Sequence, residues 1–411
     1  MDVLRSDLGR MQATLQQLSS PEVGGTPRGG VSRPALSDAD QAVRVLFRDM
    51  MGDIGLDTRH DDLGSMYGRR SGTDDDLAPV LVGSHLDTVM PGGRFDGILG
   101  VTAALEAIRV LDENSVTTRR PIEVVNWTAE EGARFSPAML ASGVVAGVHD
   151  AEFAYGRVDG DGNRFGDELE RIGFRGDRSH RPGEIHASVE MHIEQGTRLE
   201  EAGIPVGVVT GIDPVHWYDV TVTGRGGHAG GPGPEGRRDA MRAAATMITA
   251  ARDVSLREGS KSTVGIIRSY PGSTNVVPSQ VTFTLDLRAA SDEALNAAFD
   301  AVAQQYRAIA QDEGVEVEWE STFELGWTEF DQGVRRALVG ASERLGHDVM
   351  ELRGGIGHDS MHLARVTRAG MVFTPTVDGL SHCEEEDSPW DAIEAATDVL
   401  IAALVDLAND T

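Results

Sequence analysis

Four apolar runs in this chain each lead into a histidine or an acid. The run at 79–84 meets His85-Leu86-Asp87, and the run at 121–127 meets Glu130-Glu131. The run at 188–193 carries His192, and the one at 371–374 is followed by a loop and His382. Short, continuous apolar runs read as buried strands. Helix-length segments lie between them. One follows the cap Leu36-Ser37-Asp38-Ala39-Asp40 and runs to about Gly55; another spans 97–111, with Gly97 and Gly100 permitting close approach to the sheet. Such alternation predicts an α/β fold. Imidazoles and carboxylates then collect at the carboxyl ends of the strands, where open α/β sheets place ligands.

The pattern changes near residue 213. Residues 217–223 alternate polar and apolar, as a half-exposed strand does. A Gly/Pro-rich loop follows, then a helix at 237–258, strands at 263–269 and 280–288, a helix at 291–311 and a strand at 315–323. This order predicts a compact α+β unit of about 115 residues inserted in a larger domain. Residues 150–185, rich in Gly, Asp and Arg, read as an excursion with one helix near 165–172.

Composition excludes several classes of function. The 411 residues hold 66 acids against 37 Lys and Arg, a net charge of −29, and Lys261 is the only lysine. A surface this negative repels phosphate backbones and anionic membranes, so neither nucleic acid nor membrane is expected as a partner. The single cysteine, Cys383, rules out an intrachain disulfide and fits a reducing cytoplasm. Neither a signal-peptide pattern nor a membrane-length apolar run is read. The excess of acid resembles that of proteins from high-salt cytoplasms, an acidic proteome.

The strand-end residues suit metal chemistry. In His85-x-Asp87 a carboxylate can fix the imidazole tautomer so that the other nitrogen faces a metal. Asp96, in Gly93-Arg94-Phe95-Asp96-Gly97, reads equally as a ligand or as a helix N-cap. The adjacent Glu130 and Glu131 repel each other unless a cation compensates. One can then ligate while the other takes a proton from water; alone, the pair reads as a helix start. Taken together, the three imidazoles of His85, His192 and His382 with one Asp and one Glu, all after strands of one sheet, suit two divalent metals sharing a carboxylate. The acids 384–387 after Cys383 read as a solvated face, and Cys383 itself as a small buried residue.

These segments resemble the binuclear-metal amidohydrolases of the hydantoinase/carbamoylase group, relatives of the aminoacylase and dipeptidase metallopeptidases. The resemblance is carried by Gly83-Ser84-His85-Leu86-Asp87-Thr88-Val89, Gly92-Gly93-Arg94-Phe95-Asp96-Gly97 and Glu130-Glu131-Gly132-Ala133-Arg134-Phe135. His192-Ile193-Glu194-Gln195-Gly196, His228-Ala229-Gly230, Asn275-Val276-Val277-Pro278, Asp286-Leu287-Arg288, Gly357-His358-Asp359 and Ser381-His382 add to it. The resemblance implies a mixed-sheet catalytic domain at 1–212 and 328–411, with an inserted ferredoxin-like lid and dimerisation domain at 213–327. It implies two divalent metals, zinc or manganese with cobalt or nickel as options. His85, Asp96 and His192 would hold one, and Asp96, Glu131 and His382 the other. Glu130 would be the base, Asp87 the outer partner of His85, and His228 the oxyanion donor. Gln195, His228, Asn275 and Arg288 would bind substrate.

The implied activity is attack of metal-bound hydroxide on the linear C–N bond of an N-carbamoyl amino acid or ureido acid, in a cytoplasmic homodimer joined through the lid. Allantoate or ureidoglycolate hydrolysis and N-acyl amino acid or dipeptide hydrolysis are the alternatives, and a silent binding protein is the reading from another class. The chain departs from the group where substrate would sit. Gly227 replaces the usual Asn before the lid histidine, Gly231-Pro232-Gly233-Pro234 replaces Thr-Thr-Pro-Met, and His216-Trp217 stands where several allantoate-type relatives have Arg.

Overall fold

A computed structural model describes residues 4–231 and 233–410, so Pro232 of the altered loop lies outside the described residues. The chain forms two compact units, one of residues 1–211 and 329–411 and the other of 212–328.

The larger unit is built on a nine-stranded mixed sheet. Seven strands run in the order Asp57–His60, Met66–Arg70, Ile122–Trp127, Val80–His85, Ala187–Ile193, Arg368–Thr374 and Val206–Ile212. The four central ones, from Ile122–Trp127 to Arg368–Thr374, are mutually parallel. The outer pairs are antiparallel. The first three central strands are buried along their whole length, which explains why their sequences do not alternate. Parallel neighbours share one carboxyl edge, so His85, Trp127, Ile193 and Thr374 all end on it.

Helices Ile98–Glu113 and Trp390–Asn409 pack against this sheet and each other. Thirteen of the sixteen residues of Ile98–Glu113 are buried. Close approach is enforced at Gly100, where a Cβ would lie 2.4 Å from the Met191 carbonyl oxygen. Helix Leu8–Leu18 docks on the same element. The buried Glu106 accepts a forked pair of 2.8 Å hydrogen bonds from Arg10 and a third from the Asp7 N–H. Two arginines are fully buried. Arg33 donates to the carbonyls of Leu18, Val23 and Leu86; Arg44 donates to Asp40, the Gly64 carbonyl and Thr128. Five rigid donors suit this scaffolding in a way one ammonium does not.

The smaller unit is an antiparallel five-stranded sheet with helices Ala240–Glu258 and Asp292–Glu313 packed on it. Its strand Gln280–Arg288 alternates in burial, as a sheet covered on one face requires. The strand expected at 263–269 is two strands, Lys261–Thr263 and Ile267–Tyr270. Both pair with Gln280–Arg288, and the residues between them leave the ladder. No helix among the described residues is long and apolar enough to cross a membrane.

Candidate active site

Asp96 sits between two clusters of side chains. Its Oδ1 lies 3.1 Å from His192 Nε2 and 3.4 Å from His85 Nε2, while its Oδ2 lies 3.2 Å from His382 Nε2. His382 Nε2 is in turn 3.3 Å from Glu131 Oε2. One carboxylate oxygen therefore serves each cluster, His85–Asp96–His192 and Asp96–Glu131–His382, and each is a group able to hold a metal ion. The first cluster is buried throughout; in the second, His382 is exposed. Asp96 is not the helix cap. Gly97 occupies that position with φ 67°, no side chain caps the helix, and a Cβ on Gly97 would sit 2.5 Å from the His85 ring. Glu130 and Glu131 do not begin a helix either; the next one is Leu140–Val145.

The donor set fits a cation. His85 Nδ1 is 2.9 Å from the main-chain oxygen of Asp87, and His192 Nδ1 is 3.0 Å from that of Ile193. A carbonyl accepts only, so each Nδ1 carries the proton and each Nε2 presents a lone pair. Those lone pairs face carboxylate oxygens, an arrangement that needs a cation or a proton between them. The backbone of Asp87 thus sets the His85 tautomer, not its side chain as expected. The Asp87 carboxylate accepts instead from the N–H groups of Glu130 and Glu131, at 3.2 and 3.3 Å, and so positions the two acids.

Glu130 is buried, with Oε2 3.5 Å from His85 Nε2, and belongs to neither cluster. Burial raises its carboxyl well above the ordinary range, against the nearby His85; Asp359, Glu131 and Asp96 push it the same way. Gln195 donates 2.7 Å to Asp96 Oδ2 and 3.0 Å to Ser381 Oγ.

The sequence reading gave no role to a second buried layer. Glu190, in mid-strand, accepts from Ser84 and Ser360 at 2.7 Å each. The His358 ring lies 4.4 Å from that of His192, and Asp359 accepts a short hydrogen bond from Ser142. A carboxylate between Val189 and Met191 in mid-strand was the visible signal for Glu190. Of the acids after Cys383, Glu385 and Asp387 are exposed as expected, but Glu386 is 3% exposed and sits against Asp96. Cys383 is half-buried.

His362 is buried beside His149 and Arg365, and burial pushes it down to about 4. The unfolded chain, near 6.5, takes up this proton first. Stability is therefore complete above about pH 6.5 and falls as pH drops to 4, by about 3 kcal/mol for a shift of this size. Below 4 both states are protonated and no more is lost. Urea unfolding from pH 8 to 4 is expected to show this slope, and His362→Leu to flatten it.

The expected substrate residues of the smaller unit fall in two groups. Short strand Gly227–His228 pairs with Val276–Val277, which brings His228 beside Asn275; both are exposed. Arg288 is separate from these. Its guanidinium forks onto Asp286, with Nε 2.9 Å from Oδ1 and Nη2 2.7 Å from Oδ2, and Trp217 also donates to Asp286. His216 Nδ1 is 3.1 Å from the Tyr218 hydroxyl.

Residues 81–406 match the model of peptidase family M20/M25/M40. The chain belongs to this family. M20 enzymes are metal-dependent, in keeping with the two clusters. Within the family, the chain is 39% identical to an N-carbamoyl-L-amino-acid amidohydrolase of Rhizobium meliloti, over 98% of this chain and 97% of that one. It is 38% identical to an N-carbamoyl-L-amino acid amidohydrolase of Geobacillus stearothermophilus, over 94% and 96% of the two chains. The crystal structure of a hydantoinase/carbamoylase family amidase from Burkholderia vietnamiensis superposes with a TM-score of 0.95 at 39% identity, covering 100% of both chains. The mixed-sheet α/β fold and the hydantoinase/carbamoylase resemblance read from the sequence both stand.

Proposed function

We propose that this M20 protein hydrolyses the carbamoyl C–N bond of N-carbamoyl amino acids. The observation that supports this most is the donor set around Asp96, in a chain matched end to end by proteins named for that activity. His85, Asp96 and His192 would hold one divalent ion, and Asp96, Glu131 and His382 a second, with zinc or manganese the leading candidates. When bound, such ions acidify water and polarise a carbonyl oxygen.

The chain's own groups do the rest. Glu130, held by Asp87 through the backbone, accepts the proton of the attacking water and returns it to the leaving amino nitrogen. Water adds to the carbamoyl carbon, the bond to that nitrogen breaks, and the amino acid leaves. The carbamate left behind decomposes to carbon dioxide and ammonia. His228 is proposed as donor to the oxyanion, Asn275 and Gln195 as amide and carboxylate binders, and Arg288 as the carboxylate fork, shared with Asp286. The unit at 213–327 is proposed as a lid that also joins a homodimer, in the cytoplasm.

A panel of N-carbamoyl-L-amino acids, allantoate and N-acyl amino acids, offered to the zinc- or manganese-loaded protein, tests the reading. Turnover of the carbamoyl substrates is expected to dominate. If only acylated substrates reacted, the chain would be an acylase-type member of the family instead.

A further inference from the structure

His382 is the least secured of the clustered residues. It lies on a loop, its side chain is 48% exposed, and its backbone is left-handed with φ 57°. A non-glycine residue there costs about 1–3 kcal/mol and stays only if its surroundings hold it. Glu386, four residues on, supplies the hold. One of its oxygens, Oε1, accepts from the N–H groups of Phe95 and Asp96, at 2.8 and 3.0 Å. The other, Oε2, accepts from Ser381 Oγ at 2.7 Å. The carboxylate enters only because residue 93 is glycine: a Cβ there would lie 2.0 Å from Glu386 Oε1. From the outside, Thr26 donates to Glu384 and Arg28 pairs with Glu385.

Ser381 joins Glu386 to the shared carboxylate. Its hydroxyl is 3.0 Å from Asp96 Oδ2, and it receives a hydrogen bond from Gln195. One hydroxyl carries one proton, so Ser381 can donate to Asp96 or to Glu386 but not to both. A cation held by Asp96 would remove the competition and leave the hydroxyl to Glu386. Loop closure and cation capture at the His382 cluster then favour each other.

We propose that Glu386 is a positioning residue that sets the metal affinity of the Asp96–Glu131–His382 cluster, by locking the 381–387 loop onto the Gly93–Asp96 turn. The inference rests on the two-metal reading above. It predicts an unequal effect: in the His85–Asp96–His192 cluster both imidazoles stand on sheet strands, so that cluster depends on the lock less.

Zinc titration by calorimetry, with metal counted per chain after dialysis, tests this on the full chain. Wild type is expected to bind two ions. Glu386→Ala and Gly93→Ala are expected to weaken the second by about 10–100-fold, the range for lost outer partners of a ligand, and to weaken the first clearly less. The conservative Glu386→Gln, which keeps an acceptor for the two N–H groups, is expected to fall between. Thermal melts separate misfolding from metal loss, and Gly93→Ala and Glu386→Gln carry the test if Glu386→Ala does not fold. Folded variants that bind both ions like wild type would overturn the role of Glu386, as would equal weakening of both ions. A wild type that binds fewer than two ions would overturn the two-metal reading and this inference with it.

Discussion

Glu130→Gln is expected to lower kcat by about 10²- to 10⁴-fold, the usual contribution of a positioned acid–base group. Metal content is expected to stay at the wild-type level, because Glu130 belongs to neither cluster. Glutamine keeps the shape of the side chain but cannot take up a proton at neutral pH. The substitution should therefore act on kcat far more than on KM. The site is dry enough for the difference to register, with Glu130 5% exposed. Turnover kinetics beside metal analysis of the same sample checks this. Unchanged turnover would remove Glu130 as the base; turnover lost together with metal would make it a ligand instead.

Asp96→Ala is expected to have the largest effect on metal content. Asp96 is the one residue common to the His85–His192 and Glu131–His382 clusters, with an oxygen aimed at each. Its loss should cost both clusters at least about 100-fold in affinity, above the 10–100-fold typical of outer partners, and take activity with it. Glu131→Ala should cost only the second ion. The contrast between the two variants, read as ions per chain, is the decisive measurement. Asp96→Ala binding one ion tightly would show that the clusters do not share this carboxylate.

Much of the site was legible because its signals are local. A buried strand followed at once by His85 or Glu130 can be read from ten residues, and parallel strands in one sheet must end on one edge. The antiparallel unit was legible for a similar reason, through alternation and helix period. The strand expected at 263–269 is two strands because pairing with Gln280–Arg288, between residues 10 to 27 positions apart, decides where the ladder is interrupted. Alternatives that were even in the sequence were separated by geometry: Asp96 is no cap because Gly97 is.

Charge was the weakest guide. The acid run after Cys383 has the composition of a solvated surface, yet Glu386 is buried on the backbone of residues almost three hundred positions earlier. Arginine is likewise not confined to the surface, since Arg33 and Arg44 are interior scaffolds for distant carbonyls.

The sequence by itself determined the fold class, the family and the kinds of residue at each strand end, because short-range periodicity and chemistry specify these. Only the tertiary structure decided which atom each residue uses. It gave Asp87 a backbone role toward His85, divided Asp96 between two clusters, and placed Glu386 beneath the His382 loop. Those outcomes depend on contacts between segments far apart in the chain, and no local pattern encodes them.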